Sequence, residues 1–254
     1  MAEPAPEPSK RPQNIYDDPA FLAGYSKLER FGAGWERAVE HDDLLGLLPE
    51  LRGTRALDLG CGAGQLAHHL AMQGAEVLAL DVSERMLALA REQWAHPRVT
   101  YERRAIEDAA FPSGRFELVV SSLAIHYVED YAGLMRRIAG WLAPGGVLVY
   151  STEHPIYTAR MPGDGWAVDA AGRRVAWGVD RYAAEGVREE TWFVSSVRKV
   201  HRTLGTLVNG LLEAGLTVER LLEPMPGAEW LQAHPGAADE LRRPMFLLIR
   251  ARKA

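Results

Sequence analysis

The sequence predicts an α/β fold: a doubly wound, mostly parallel sheet of seven strands with helices on both faces. Three observations predict it. A short apolar strand at residues 55–59 runs into a glycine-rich turn carrying Asp58, Gly60, Gly62 and Gly64. A second apolar strand at residues 76–81 ends in an acid, Asp81, 23 positions after Asp58. Residues 116–122, FELVVSS, form a nearly continuous apolar run of the kind a central parallel strand buries on both faces.

The opening residues, MAEPAPEPSKRPQ, are rich in Pro, Glu and Ala and read as a disordered arm over residues 1–13. From 14 to 49 the apolar spacing turns helical. Phe21, Leu22, Tyr25 and Leu28 share one face, and a second helix is expected over residues 35–48, so this segment forms a helical cap.

The core follows at residues 50–152. Glycine is needed after the first strand because such a turn visits positive φ and because a side chain would hold a ligand off the backbone. The helix over 65–72 then opens with free N–H groups facing the turn. Ser83 is the expected N-cap of a helix over 84–94 with Met86 in its first turn, and residues 99–103 make the third strand. After the run at 116–122 come a loop at 123–130, a helix over 131–142 stopped by Pro144 and Gly145, and a fifth strand at 147–151.

From 153 to 201 the alternation breaks. Tyr157, Trp166, Trp177, Tyr182, Trp192 and Phe193 stand among Gly and Pro, too apolar for a linker and too irregular for a sheet core, which suggests an aromatic-rich lid over the substrate. Residues 202–254 complete the sheet with a helix at 203–214, a strand at 217–223 and a last strand at 245–251 inserted as a hairpin.

Composition narrows the function. With 29 basic and 34 acidic residues the net charge is −5, so nothing favours nucleic acid or an anionic membrane as a partner. The single cysteine, Cys61, excludes an internal disulfide and fits a reducing, cytoplasmic compartment. Close metal-ligand spacing is missing, so no metal is expected. Cys61, between motif glycines, reads as a small side chain in a crowded turn rather than a nucleophile.

The pattern D-x-G-x-G-x-G, with its acid inside the strand, differs from the G-x-G-x-x-G of dinucleotide sites. Together with LAPGGVLVY at 142–150 it resembles the class I S-adenosylmethionine-dependent methyltransferases, in particular the type 11-like enzymes that act on small molecules, and the resemblance covers residues 50–152. It implies a Rossmann-like fold, S-adenosylmethionine as cofactor and S-adenosylhomocysteine as product. It also places the cofactor on Asp58, Gly60, Cys61 and Gly62 of the turn, on Asp81 and Val82 at the ribose, on Met86, Ile106 and Glu107 around the adenine, and on Ser122 and Leu123. Tyr16 and Tyr25 of the cap become candidates for the methionine end. One departure is Ala105, where many relatives carry an adenine-binding aspartate. SSLA after the fourth strand also differs from the Asn/Asp-Pro-Pro-aromatic signature of enzymes that methylate bases.

Methyl transfer needs alignment and, for some acceptors, a base, and histidine is the natural one near neutral pH. His126 in the loop after strand four, His154 before Pro155, and His201 at the end of the insert are the candidates. Tyr157, Trp166, Trp177 and Trp192 are the candidates for enclosing a flat acceptor. The basic run Arg198, Lys199 and Arg202 reads first as a solvated face and second as an anion site. The expected activity is methyl transfer to oxygen or nitrogen of a small aromatic or heterocyclic molecule by a monomer or homodimer. An NAD-dependent oxidoreductase and a non-catalytic S-adenosylmethionine-binding regulator are the alternatives.

Overall fold

The computed structural model describes residues 12–28 and 30–254. The arm expected at 1–13 therefore lies, up to residue 11, outside the described residues. Its last residue is tied down, because Gln13 Nε2 donates to Arg198 O (3.0 Å) and Gln13 Oε1 accepts from Arg198 N (2.8 Å).

The cap begins with a 3₁₀ turn at Ile15–Asp17 and α1, Pro19–Tyr25, whose N-cap Asp18 accepts from Ala20 N and Phe21 N. The second cap helix is shorter than expected. A 3₁₀ turn, Gly32–Arg37, ends where Ala38 is extended (φ −64°, ψ 136°), and α2 spans only His41–Gly46. Then β1 (Arg55–Leu59), α3 (Gln65–Met72), β2 (Glu76–Asp81), α4 (Glu84–Gln93), β3 (Val99–Arg103), β4 (Phe116–Ser122), α5 (Tyr131–Trp141) and β5 (Leu142–Glu153) follow, strands and helices alternating except between β3 and β4. Ser83 caps α4 as expected, its Oγ accepting from Met86 N at 3.1 Å.

The insert is more regular than its sequence suggests. After the single turn α6 (Pro155–Thr158) it forms two antiparallel hairpins, β6 (Trp166–Val168) with β7 (Arg174–Trp177), and β8 (Gly186–Trp192) with β9 (Val194–His201). Short two-stranded ribbons show too little alternation to be read against their glycines. The chain ends with α7 (Leu204–Glu213), β10 (Leu216–Leu222), α8 (Ala228–Ala233) and β11 (Phe246–Lys253).

The seven-stranded sheet has the order β10-β11-β5-β4-β1-β2-β3. All neighbours are parallel except β11, which runs antiparallel to both β5 and β10. Strand residues alternate between two cores. Leu57, Leu59, Val119 and Leu148 pack with α5 and α7 on one face, while Ala56, Leu118, Val120 and Val149 pack with α2 and α3 on the other. Burial on both faces explains the unbroken apolar run of β4.

The cap and the insert meet through aromatic rings. Phe21 packs edge-on to Trp192 (5.3 Å between centroids) and to Phe193 (5.7 Å), and Tyr25 packs edge-on to Trp192 (5.8 Å). Gly24 allows this approach, since a Cβ there would lie 2.4 Å from the Phe193 ring.

Candidate active site

The chain leaves β1 for β2 and β3 on one side of the sheet and returns for β4 on the other, so adjacent loops diverge at the tips of β1 and β4. Ligands of open α/β sheets bind at such a point. A cavity of about 430 Å³ opens there, roofed by the cap and by the β8–β9 hairpin.

Its floor is the glycine turn. Gly60 has φ +77°, and a Cβ on it would lie 2.3 Å from the Ala124 Cβ, so only glycine fits between the two loops. The backbone N–H groups of Gly60 and Cys61 both donate to Leu80 O at 2.9 Å, which fixes the turn to β2. Gly62 N donates to Asp81 Oδ2 and Ser83 N to Asp81 Oδ1, each at 2.8 Å. Asp81 is thereby oriented, and each oxygen keeps a lone pair for a further donor. Burial raises its carboxyl above the usual range against the pull of these two N–H groups.

Asp58 is different. It is 1% exposed, neither carboxylate oxygen has a partner, and burial together with the nearby Asp81 charge pushes its pKa up to about 8. A buried acid without partners costs free energy, which a bound cationic or donor group would recover.

Every residue assigned to the cofactor from the sequence lines this cavity: Tyr16, Tyr25, Asp58, Gly60, Cys61, Gly62, Asp81, Val82, Met86, Ile106, Glu107, Ser122 and Leu123. Burial raises the Cys61 thiol, which removes the thiolate a nucleophile would need. The cap reaches the same wall. Tyr16 OH stands 3.3 Å from Tyr127 OH, and Asp17 Oδ1 accepts from Ser83 Oγ (2.6 Å) and from Arg85 N (3.1 Å) at the start of α4.

The histidines separate. His126 lines the cavity, is 4% exposed and has an Nδ1 without a partner. Burial, then the Lys199 charge, hold its pKa well below the ordinary histidine value, so the ring is neutral at pH 7. His154 is outside the cavity wall and both its ring nitrogens are used. Nδ1 accepts from Ile156 N (3.1 Å) as the cap of α6, which leaves Nε2–H to donate to Glu223 Oε1 (2.8 Å). His201 is also outside it, with Nδ1 2.6 Å from Thr158 Oγ1 and Nε2 2.8 Å from Tyr182 O. Expecting these two at the reacting centre is corrected by the geometry: the sequence put them beside the site, and hydrogen bonds turned them to structural use.

The aromatics divide likewise. Tyr157 and Trp192 line the cavity, whereas Trp166 and Trp177 do not. The latter two pack on each other across β6 and β7 (5.1 Å), Trp177 Nε1 donates to Ile156 O (3.1 Å), and the Arg243 guanidinium lies 4.4 Å over the Trp177 ring.

Several lining residues escaped the sequence reading, among them Tyr127, Glu153, Arg160 and Glu190, and Lys199 lines the cavity although its run read first as a solvated face. The basic run is not a solvated face. Lys199 and Arg202 are buried, Arg202 Nη2 donates to the carbonyls of Val128 and Glu129, and Arg198 pairs with Glu129 at 2.6 Å. The signal that could have found Lys199 is the period-2 alternation of β9, which turns Val197, Lys199 and His201 inward together.

A doubly wound sheet with this cavity over its switch point defines an enzyme class built to hold a nucleoside-type cofactor. A Methyltransferase domain profile matches residues 57–150. The chain is 46% identical to an S-adenosylmethionine-dependent methyltransferase from Mesorhizobium loti whose crystal structure superposes with a TM-score of 0.78, over 85% of this chain and 98% of that one. It is 39% identical to a Listeria monocytogenes protein provisionally assigned to the same class, with a TM-score of 0.80 over 87% and 99% of the two chains. An uncharacterized protein of Haemophilus influenzae is 34% identical over 94% of this chain and 97% of its own length. The chain belongs to the S-adenosylmethionine-dependent methyltransferases, an enzyme family, and its cofactor is S-adenosylmethionine rather than NAD. Among the described residues no helix is long and apolar enough to cross a membrane.

Proposed function

We propose that this methyltransferase acts on an oxygen or nitrogen of a small aromatic or heterocyclic molecule. The observation that carries the reading is the far wall of the cavity, where Tyr127, Tyr157 and Trp192 stand with the neutral His126, whose Nδ1 has no partner. Aromatic walls suit a flat acceptor.

The residues present fit the cofactor. Asp58 is an orphaned acid where an ammonium group belongs, Asp81 has free lone pairs for two ribose hydroxyls, and Gly60 lets the turn pack tightly against the loop at Ala124, where no Cβ fits. Met86 and Ile106 supply apolar surface for the adenine, Glu107 stands beside them, and Tyr16 and Tyr25 close the methionine end. When bound, the cofactor supplies a methyl group already activated on a sulfonium sulfur. The chain then has to hold acceptor and cofactor in line and keep water out, which is proximity catalysis. His126 is the residue placed to take a proton, since its ring is held neutral by burial.

Incubation with methyl-labelled S-adenosylmethionine and a panel of phenols, azoles, anilines and carboxylic acids tests this. Label on a ring-borne oxygen or nitrogen is the expected result. Transfer confined to carboxylic acids, or to nothing in the panel, overturns it.

A further inference from the structure

The acceptor end of the cavity carries four charged side chains that the cofactor does not account for. Lys199 Nζ donates to Glu153 Oε1 at 2.6 Å and to Glu190 Oε1, and Arg160 Nη2 donates to Glu190 Oε2. The third side of the ammonium lies 4.6 Å from the centre of the Trp192 ring. These side chains are only 7% (Lys199), 12% (Glu153), 18% (Glu190) and 22% (Arg160) exposed, and all four line the cavity.

Buried ion pairs are a weak source of stability, because desolvation offsets most of their attraction. Three such pairs among four side chains in one wall of a ligand cavity therefore call for a reason beyond folding. Their charges alternate and cancel along Arg160, Glu190, Lys199 and Glu153, so the wall has no surplus cation for an anionic acceptor and no surplus carboxylate for a cationic one. Valence is what remains open. Glu153 Oε2 is buried without a partner, and so is His126 Nδ1. The first accepts a hydrogen bond, the second does so in the Nε2–H tautomer, and Glu153 stands at the last position of β5, on the carboxyl edge of the sheet where the strand tips gather.

We propose that Glu153, locked in place by Lys199, anchors the acceptor and selects a neutral molecule presenting an O–H or N–H donor. This rests on the small-ring reading above and adds the polar group the ring must carry. A carboxylate would meet Glu153 and Glu190, with Lys199 and Arg160 already paired to them. An ammonium group would meet Lys199, Arg160 and the cofactor's own positive sulfur. Lys199 acts as a positioning residue: bound to two carboxylates and an aromatic face, it fixes Glu153 Oε1 and leaves Oε2 to the acceptor.

The experiment uses the full-length enzyme saturated with S-adenosylhomocysteine and measures binding of phenol, anisole and benzoate by saturation-transfer NMR. Phenol is expected to bind at least tenfold more tightly than anisole or benzoate. Glu153→Gln is expected to weaken phenol about tenfold, since a neutral acceptor replaces a charged one, while S-adenosylhomocysteine affinity stays within twofold. Anisole or benzoate binding as well as phenol overturns the proposal and leaves the small-ring reading standing. An unchanged phenol affinity in Glu153→Gln overturns it too, and failure of every ring probe to bind overturns both. The wild-type selectivity is decisive even if the variant does not fold.

Discussion

The two ends of the cavity are built by different means. At the end proposed for the cofactor, the floor comes from backbone and strand-tip residues, a turn of five residues, an acid at the next strand tip and a loop after β4, to which the cap adds Tyr16 and Tyr25. At the acceptor end, the wall is made of side chains drawn from β5, β8 and β9, with the cap packed on Trp192, and Lys199 meets Glu153 across 46 positions of the chain. Local construction makes the first end rigid and easy to read. Long-range construction makes the second adjustable, since a hairpin and a cap can be altered without disturbing the sheet.

The contrast can be broken by experiment, and the largest effect is expected at Gly60. Gly60→Val puts a β-branched residue at φ +77° and drives its Cβ into Ala124, so binding of S-adenosylhomocysteine should disappear in calorimetry while circular dichroism keeps the α/β signal. Retained binding would mean that the turn does not hold the cofactor.

Next in size is Phe21→Ala in the cap. Loss of this fully buried ring should cost about 3–5 kcal/mol of local stability. Hydrogen exchange should rise across the cap and the β8–β9 hairpin together, while β1, β4 and β5 stay protected. Uniform destabilisation of the sheet would show that cap and lid are part of the main core.

A sharper comparison sets two histidines side by side. His126→Ala should lower turnover by about 10² with cofactor affinity unchanged, whereas His154→Ala should lower the melting temperature through loss of the Glu223 and Ile156 bonds and leave turnover nearly intact. Equal losses of turnover would reverse the assignment made from their positions.

The smallest effect is a proton. Burial and the Asp81 charge raise the pKa of the Asp58 carboxyl to about 8, so the folded state favours the neutral acid. Its contribution to stability is fully present below the ordinary carboxylate range and is lost as pH rises toward about 8. Binding an ammonium group favours the ionised form. Affinity for S-adenosylhomocysteine should therefore rise with pH by up to about tenfold per unit below pH 8, with proton release seen as a buffer-dependent heat. Asp58→Asn should flatten both, and a wild-type affinity independent of pH would contradict the role given to Asp58.

Much of this enzyme was decided by sequence alone. Periodicity and turn chemistry laid down the seven strands and the glycine turn, because these depend on neighbours a few positions away, and the family resemblance pointed to the residues proposed for the cofactor, all of which line the cavity. Tertiary structure decided the acceptor end. Whether a histidine meets a ligand or a carbonyl, and whether Lys199 faces water or two carboxylates, depends on which distant strand packs against it. A hydrogen bond reaches about 3 Å, and a spacing along the chain does not say which groups the fold will bring that close.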